Sequence, residues 1–157
     1  MKKNKVLVVH GPNLHLLGRR EKQIYGNLSL EELNRELAEI AKKYNLELEI
    51  VQLNGEGEIV ERITRGDYDF LIINPAAYTH TSVAIRDAIL GVEKPTIEVH
   101  ISNIYKREPF RRTSLISDVV WGVISGLGKY SYILALKVAY KSITDSLPRQ
   151  NCEENKK

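Results

Sequence analysis

One cysteine in 157 residues cannot close an internal disulfide, and Cys152 sits in the polar stretch Gln150–Lys157. That cysteine and the four histidines lack zinc-ligand spacing, so no structural metal is expected. Long apolar runs are also missing. The basic opening Met1–Lys5 leads into Val6-Leu7-Val8-Val9, far too short for a signal-peptide core or a membrane span. Nor is there a large excess of one charge: charged residues are 27% of the chain, yet the net charge is only +3. Lysines and arginines are interspersed with acids. The one dense basic cluster, Lys106-Arg107 with Arg111-Arg112, suits a small anionic ligand at least as well as a phosphate backbone. The expectation is a cytoplasmic chain that partners neither nucleic acid nor membrane.

The length fits one domain, and a chain of this size buries roughly 70% of its unfolded surface without needing a staple. Val6–Val9 and Phe70–Ile73 are continuous apolar runs, as in strands buried on both faces. Pro95–Val99 and Val119–Ile124 read as further strands. Leu46-Glu47-Leu48-Glu49-Ile50-Val51 alternates as a half-exposed edge strand would. Between them, Leu30–Tyr44 repeats apolar residues at helical period behind a capping box of Ser29 and Glu32. Shorter helices are expected over Gly57–Arg65 and Ser82–Leu90, and a closing helix over Leu127–Ile143, while Gly11 to Asn27 reads as a loop. Strands alternating with helices imply a five-stranded parallel sheet covered on both faces, in the flavodoxin-like order 2-1-3-4-5. Neither repeats nor a linker interrupt it. The domain is expected over residues 1–145, and residues 146–157 read as a polar, disordered tail.

In such α/β sheets ligands bind at the carboxyl ends of the strands. Following the buried strands here are His10-Gly11-Pro12-Asn13, then Asn74 with Thr79-His80-Thr81-Ser82, then His100-Ile101-Ser102-Asn103. Asparagine, histidine, serine and arginine converging on one edge make a polar pocket rich in hydrogen-bond donors. Singly, each has a plainer reading: Tyr25 as a loop aromatic, Asn13 and Asn74 as turn residues, Ser82 as a helix cap, and Asp87 as a partner of Arg86 or of a helix neighbour. His10 reads as a loop fastener through a backbone hydrogen bond. Gly122–Lys129 is not a phosphate loop, because Tyr130 follows the lysine where Ser or Thr is required. A flavin-binding module needs a Ser/Thr/Gly-rich loop after the first strand, and a receiver domain needs acids at the positions of His10 and Asn74. Neither pattern is present.

Taken together, the blocks resemble a family. Gly11-Pro12-Asn13-Leu14, Leu17-Gly18-Arg19-Arg20-Glu21 and Tyr25-Gly26 resemble the opening signature of type II 3-dehydroquinate dehydratases. Asn74–Ser82 with Ala84–Ala88, and Glu98–Asn103 with Arg107 and Phe110-Arg111-Arg112, resemble their middle and third motifs. Gly122-Val123-Ile124 and Gly126-Leu127-Gly128 are similar to the last. The likeness runs in order from about Lys5 to Tyr140; His15 and Gly55 depart from it, where asparagine and histidine are expected.

The resemblance implies a cofactor-free lyase that removes water from 3-dehydroquinate to give 3-dehydroshikimate through an enolate. It implies Tyr25 as a tyrosinate base, with Arg20 favouring the anion, and Asn13 stabilising the enolate through a water. It further implies His100 as the general acid, with Glu98 orienting it. Ile101 and Ser102 would hold the substrate carboxylate through backbone N–H groups, and Asn74, His80 and Arg111 the ring hydroxyls. Asp87 would reach the site of a neighbouring subunit, within trimers assembled into a homododecamer.

Overall fold

The apolar run Val6–Val9 has no polar face to offer solvent, and it forms the interior of β1 (Lys5–His10), with all five residues from Val6 to His10 buried. In the computed structural model, which describes residues 2–19 and 21–145, β1 is flanked by β2 (Glu47–Gln52) and β3 (Phe70–Asn74). Beyond β3 lie β4 (Thr96–His100) and β5 (Gly122–Ser125), all parallel, in the order β2-β1-β3-β4-β5. This is the flavodoxin-like arrangement expected from the alternating pattern.

Alternate strand residues feed two apolar cores, because successive side chains leave a strand on opposite faces. Val6, Val8, Phe70, Ile72, Ile97 and Val99 meet α2 (Leu30–Lys43) and α5 (Lys129–Thr144). Leu7, Val9, Leu71 and Ile73 meet α3 (Glu56–Thr64) and α4 (Val83–Val92). The start of α2 is held by its capping box, in which Glu32 N–H donates to Ser29 Oγ at 3.1 Å and Ser29 N–H to Glu32 Oε2 at 3.2 Å. Its buried stripe is Leu30, Leu33, Leu37 and Ala41. Burial of each leucine contributes roughly 1.5–3 kcal/mol.

Several boundaries differ from the sequence reading. β5 begins at Gly122 rather than Val119, because Val119 and Val120 pack into the α3–α4 core ahead of the strand and Val119 N–H closes a turn onto Ile116. α5 begins at Lys129 rather than Leu127, since Gly126 and Gly128 both take positive φ and cannot continue a helix. The expected Gly11–Asn27 loop contains a 3₁₀ turn at Leu14–Leu16 and the single helical turn α1 (Lys22–Tyr25). β2 is an edge strand, but from Leu48 to Gln52 it is half-buried throughout rather than alternating. Among the described residues no helix is long and apolar enough to cross a membrane. The expected tail at 146–157 lies outside the described residues.

The topology positions the site. The chain leaves β1 toward β2 on one side and returns to β3 on the other, so the strand order reverses between β1 and β3. His10 and Asn74 are register partners at that point. Gly11 follows immediately, with its N–H donating to Asn74 O at 2.8 Å. A Cβ at Gly11 would stand 2.6 Å from both Pro75 C and Pro75 O, so only glycine permits this approach of the two strand ends.

Candidate active site

Above the carboxyl ends of β1, β3 and β4 lies a cavity of about 150 Å³. Of the residues expected at the site, Asn13, Tyr25, Asn74, His80, His100, Ile101, Ser102 and Arg111 all line it. Leu14, Leu16, Leu17 and Ile104 supply an apolar wall. Glu98 stands behind His100, and Asp87 does not reach this cavity. Arg20 lies outside the described residues.

The Glu98–His100 pair on β4 is built by strand spacing. Glu98 and His100 are two residues apart and therefore project from the same face. His100 Nε2 lies 2.6 Å from Glu98 Oε2. The other carboxylate oxygen, Glu98 Oε1, accepts from Ser114 Oγ at 2.8 Å and Ser117 Oγ at 2.9 Å. Glu98 is fully buried, so these three donors replace the water it lost. With Glu98 accepting, Nε2 carries a hydrogen, and His100 Nδ1 has no hydrogen-bond partner among the described residues. Arg86 on α4 steadies the serine segment by pairing with Asp118 and donating to Leu115 O at 2.9 Å. The plainer reading of Asp87 as the partner of Arg86 is thus not what the fold adopts: Asp87 is left exposed.

Tyr25 ends α1, and its hydroxyl meets Arg107 Nη1 at 2.6 Å, with the guanidinium carbon 5.4 Å from the ring centroid. Arg107 also approaches Glu21 at 3.6 Å, and its Nε is buried without a partner among the described residues. The contact sets the positive charge of Arg107 directly against the phenol oxygen. Sequence reading had placed Arg107 in a motif without a role. Only its membership in the basic cluster marked it, and a loop arginine reveals its partner only in three dimensions. Of that cluster, Arg107 and Arg111 turn into the cavity, while Lys106 and Arg112 remain exposed.

The remaining residues are held by local chemistry. Asn13 takes a left-handed conformation (φ 68°), and its N–H donates to Asn54 Oδ1 at 3.1 Å. His80 closes a 3₁₀ turn, and its Nδ1 lies 2.7 Å from Thr113 O, which leaves Nε2 free of that contact. Arg111 Nε donates to Glu108, on the preceding turn. Ser82 is a helix cap, as its plainer reading held, accepting from Ile85 N–H at 2.9 Å. His10 is corrected: its ring bonds side chains, not backbone, with Nδ1 at 3.0 Å from Tyr132 Oη and Nε2 at 2.8 Å from Asn34 Oδ1. The two departures from the family pattern are also placed, His15 exposed on the Leu14–Leu16 turn and Gly55 capping α3.

At Ile101 and Ser102 the peptide planes have a defined sense. Gly126 N–H donates to His100 O at 3.2 Å, Gly128 N–H to Ile101 O at 3.0 Å, and Ser125 Oγ to Ser102 O at 3.0 Å. In a trans peptide the N–H opposes the carbonyl. The N–H groups of Ile101 and Ser102 therefore point away from the 125–128 turn.

A cavity with two arginines, a guanidinium-paired tyrosine and a carboxylate-anchored histidine is equipped to bind a small anion and move protons within it. Known proteins share this framework. Residues 4–140 match the family Dehydroquinase class II. A 3-dehydroquinate dehydratase of Francisella philomiragia is 55% identical over 131 residues, spanning 83% of this chain and 90% of that protein. One from Thermotoga petrophila is 52% identical over 141 residues, spanning 90% and 98%. Among solved structures, a type II dehydroquinase from Propionibacterium acnes superposes with a TM-score of 0.85 at 43% identity, covering 90% of this chain and 98% of that one. A 3-dehydroquinate dehydratase-like protein from Bifidobacterium longum gives 0.68 at 35% identity. With the sheet order, the ordered motifs and the relatives in agreement along most of its length, the chain belongs to the class II dehydroquinase family.

Proposed function

We propose that this protein dehydrates 3-dehydroquinate to 3-dehydroshikimate in the cytoplasm, as a step of the shikimate pathway, by anti elimination through an enolate. The observation that carries the reading is the pairing of Tyr25 with Arg107 in the cavity that His100 also lines. Tyr25, as tyrosinate, takes the proton from C2 beside the C3 ketone. Electrons move onto the ketone oxygen, and Asn13 stabilises that enolate through a water. Collapse of the enolate expels the C1 hydroxyl, which His100 protonates through Nδ1, so that water departs. Glu98 stabilises the imidazolium that must be present before this step. The proton on Tyr25 then passes to solvent, and His100 regains one.

The substrate carboxylate sits on the N–H groups of Ile101 and Ser102, a reading supported by the opposing carbonyls of His100 and Ile101 being engaged by Gly126 and Gly128. Asn74, His80 and Arg111 take the ring hydroxyls. Arg20 joins Arg107 in favouring the tyrosinate. Asp87 serves the site of a neighbouring subunit within trimers that build a homododecamer. In support, α4 carries exposed Val83 and Leu90 on either side of Asp87, at 57% and 49% exposure, a face that a second copy would cover.

The test is direct. Purified protein mixed with 3-dehydroquinate, with no metal or nucleotide added, should produce the absorbance of the conjugated enone. A folded preparation that produces none would overturn the proposal.

A further inference from the structure

Behind the cavity, a file of buried polar groups crosses the domain from α2 to β3. Asn74 Nδ2 donates to Tyr132 Oη at 3.0 Å, Tyr132 Oη meets His10 Nδ1 at 3.0 Å, and His10 Nε2 meets Asn34 Oδ1 at 2.8 Å. His10 and Tyr132 are fully buried, Asn74 is 4% exposed, and Asn34 on α2 is half-buried. Of these only Asn74 lines the cavity.

The file has one possible direction. Ala76 N–H donates to Asn74 Oδ1 at 3.0 Å, and a backbone N–H can only donate. The Asn74 carbonyl must therefore face Ala76, which turns its NH₂ toward Tyr132. Tyr132 oxygen accepts that bond, so its own hydrogen goes to His10 Nδ1. The ring then carries its hydrogen on Nε2, which donates to Asn34 Oδ1. Reversing the Asn74 link would set its NH₂ against Ala76 N–H, two donors in contact inside the protein, and reversing the His10 links would leave the Tyr132 hydroxyl hydrogen without an acceptor in the file.

We infer that Asn34, His10 and Tyr132 are positioning residues that lock the Asn74 amide so that it presents a defined N–H donor to the substrate. The inference rests on Asn74 contacting substrate, as proposed above. Ala76 N–H engages only the carbonyl end of the amide, and the Tyr132 oxygen holds the NH₂ end, so the two together stop the group from swinging within the cavity. Burial holds the His10 ring neutral, with its pKa lowered to about 4, and keeps the Tyr132 hydroxyl protonated by pushing its pKa up. Neutral groups are what the one-way file requires.

Three comparisons decide it, each read as kcat and KM for 3-dehydroquinate alongside a thermal unfolding curve. Tyr132→Phe, which removes the hydroxyl and leaves the ring, should lower kcat/KM roughly tenfold, the value of one buried hydrogen bond. In an Asn74→Ala background the same substitution should change kcat/KM by less than about twofold, because its target is gone. Asn34→Leu should lower kcat/KM several-fold, and Asn34→Asp, which restores an acceptor, should recover it at pH 8.

Folded Tyr132→Phe with full kcat/KM would overturn the inference. So would an equal loss in the Asn74→Ala background, which would mark Tyr132 as acting on stability alone. Should Tyr132→Phe fail to fold, the Asn34 pair decides: full activity in Asn34→Leu, or no recovery in Asn34→Asp, defeats it. Inactive wild-type protein would instead defeat the function proposed above.

Discussion

The hydroxyl of Tyr25 lies 2.6 Å from Nη1 of Arg107, although 82 positions separate them in the chain. The contact joins the short α1 turn to the segment after β4, and it sets a positive charge against the one phenol of the cavity. Under the proposed mechanism, Tyr25→Phe should abolish turnover while substrate still binds, as measured by titration calorimetry. Arg107→Ala should reduce kcat by about 10²-fold or more, since the guanidinium that pairs with the proposed tyrosinate is removed. Near-normal kcat in Tyr25→Phe would take the base assignment away from Tyr25, and near-normal kcat in Arg107→Ala would take the supporting role away from Arg107.

The support beneath His100 makes a second prediction. Glu98→Gln keeps the side-chain shape but places an NH₂ group among three donors, so kcat should fall by about 10²-fold as the acid loses its anchor. Ser114→Ala and Ser117→Ala each remove one hydrogen bond to Glu98 Oε1. Each should cost roughly threefold to tenfold in kcat. A double serine variant with wild-type kcat would show that the two hydroxyls do not position the pair.

Acid should act on stability through His10. Burial lowers its folded pKa to about 4 from 6.5, against an opposing hydrogen bond to Asn34. The unfolded chain therefore binds this proton more readily, so the stabilisation is complete above pH 6.5 and declines as pH falls toward 4. The full difference is on the order of 3 kcal/mol. Glu49, Asp67 and Asp118 are held below their usual range, chiefly by hydrogen bonds from Arg62, Arg62 and Arg86. Their contributions are present above the ordinary carboxylate range and are lost lower on the scale. Between about pH 6.5 and 4.5 the melting temperature of the wild type should drop roughly 5 °C more than that of His10→Gln. Parallel curves would remove His10 from the acid response.

Arg62 separates stability from catalysis. It is 4% exposed, donates to both oxygens of Glu49 at 3.0 and 2.7 Å, and donates to Asp67 at 2.8 Å. None of these groups lines the cavity. Arg62→Ala should cost about 2–3 kcal/mol in urea unfolding, discounted because its partners are partly exposed. Below its melting range the variant should keep wild-type kcat/KM. A loss of activity in folded protein would connect this cluster to the site.

Much of this protein is decided locally. The continuous apolar runs at Val6–Val9 and Phe70–Ile73 are short, rich in β-branched and aliphatic residues, and bounded by turn residues, as strands buried on both faces are. The capping box and four-residue stripe of α2 are legible for the same reason: period and capping are properties of neighbouring residues. Strand ends then indicate where a polar pocket opens, which is why Asn13, Asn74, His80 and His100 were legible as a group beside it, although each alone has a plainer reading. The motifs after them carry the resemblance to the family. Only the tertiary structure decides partnerships. Arg107 rather than another basic residue meets Tyr25, Ser114 and Ser117 hold Glu98, and His10 faces Tyr132 across 122 positions of chain. Such contacts depend on how crossover segments return over the sheet, and no local period records that. The exact ends of β5 and α5 escaped for a related reason, since Val119 and Val120 are as apolar as strand residues but find their burial in the core beside the strand.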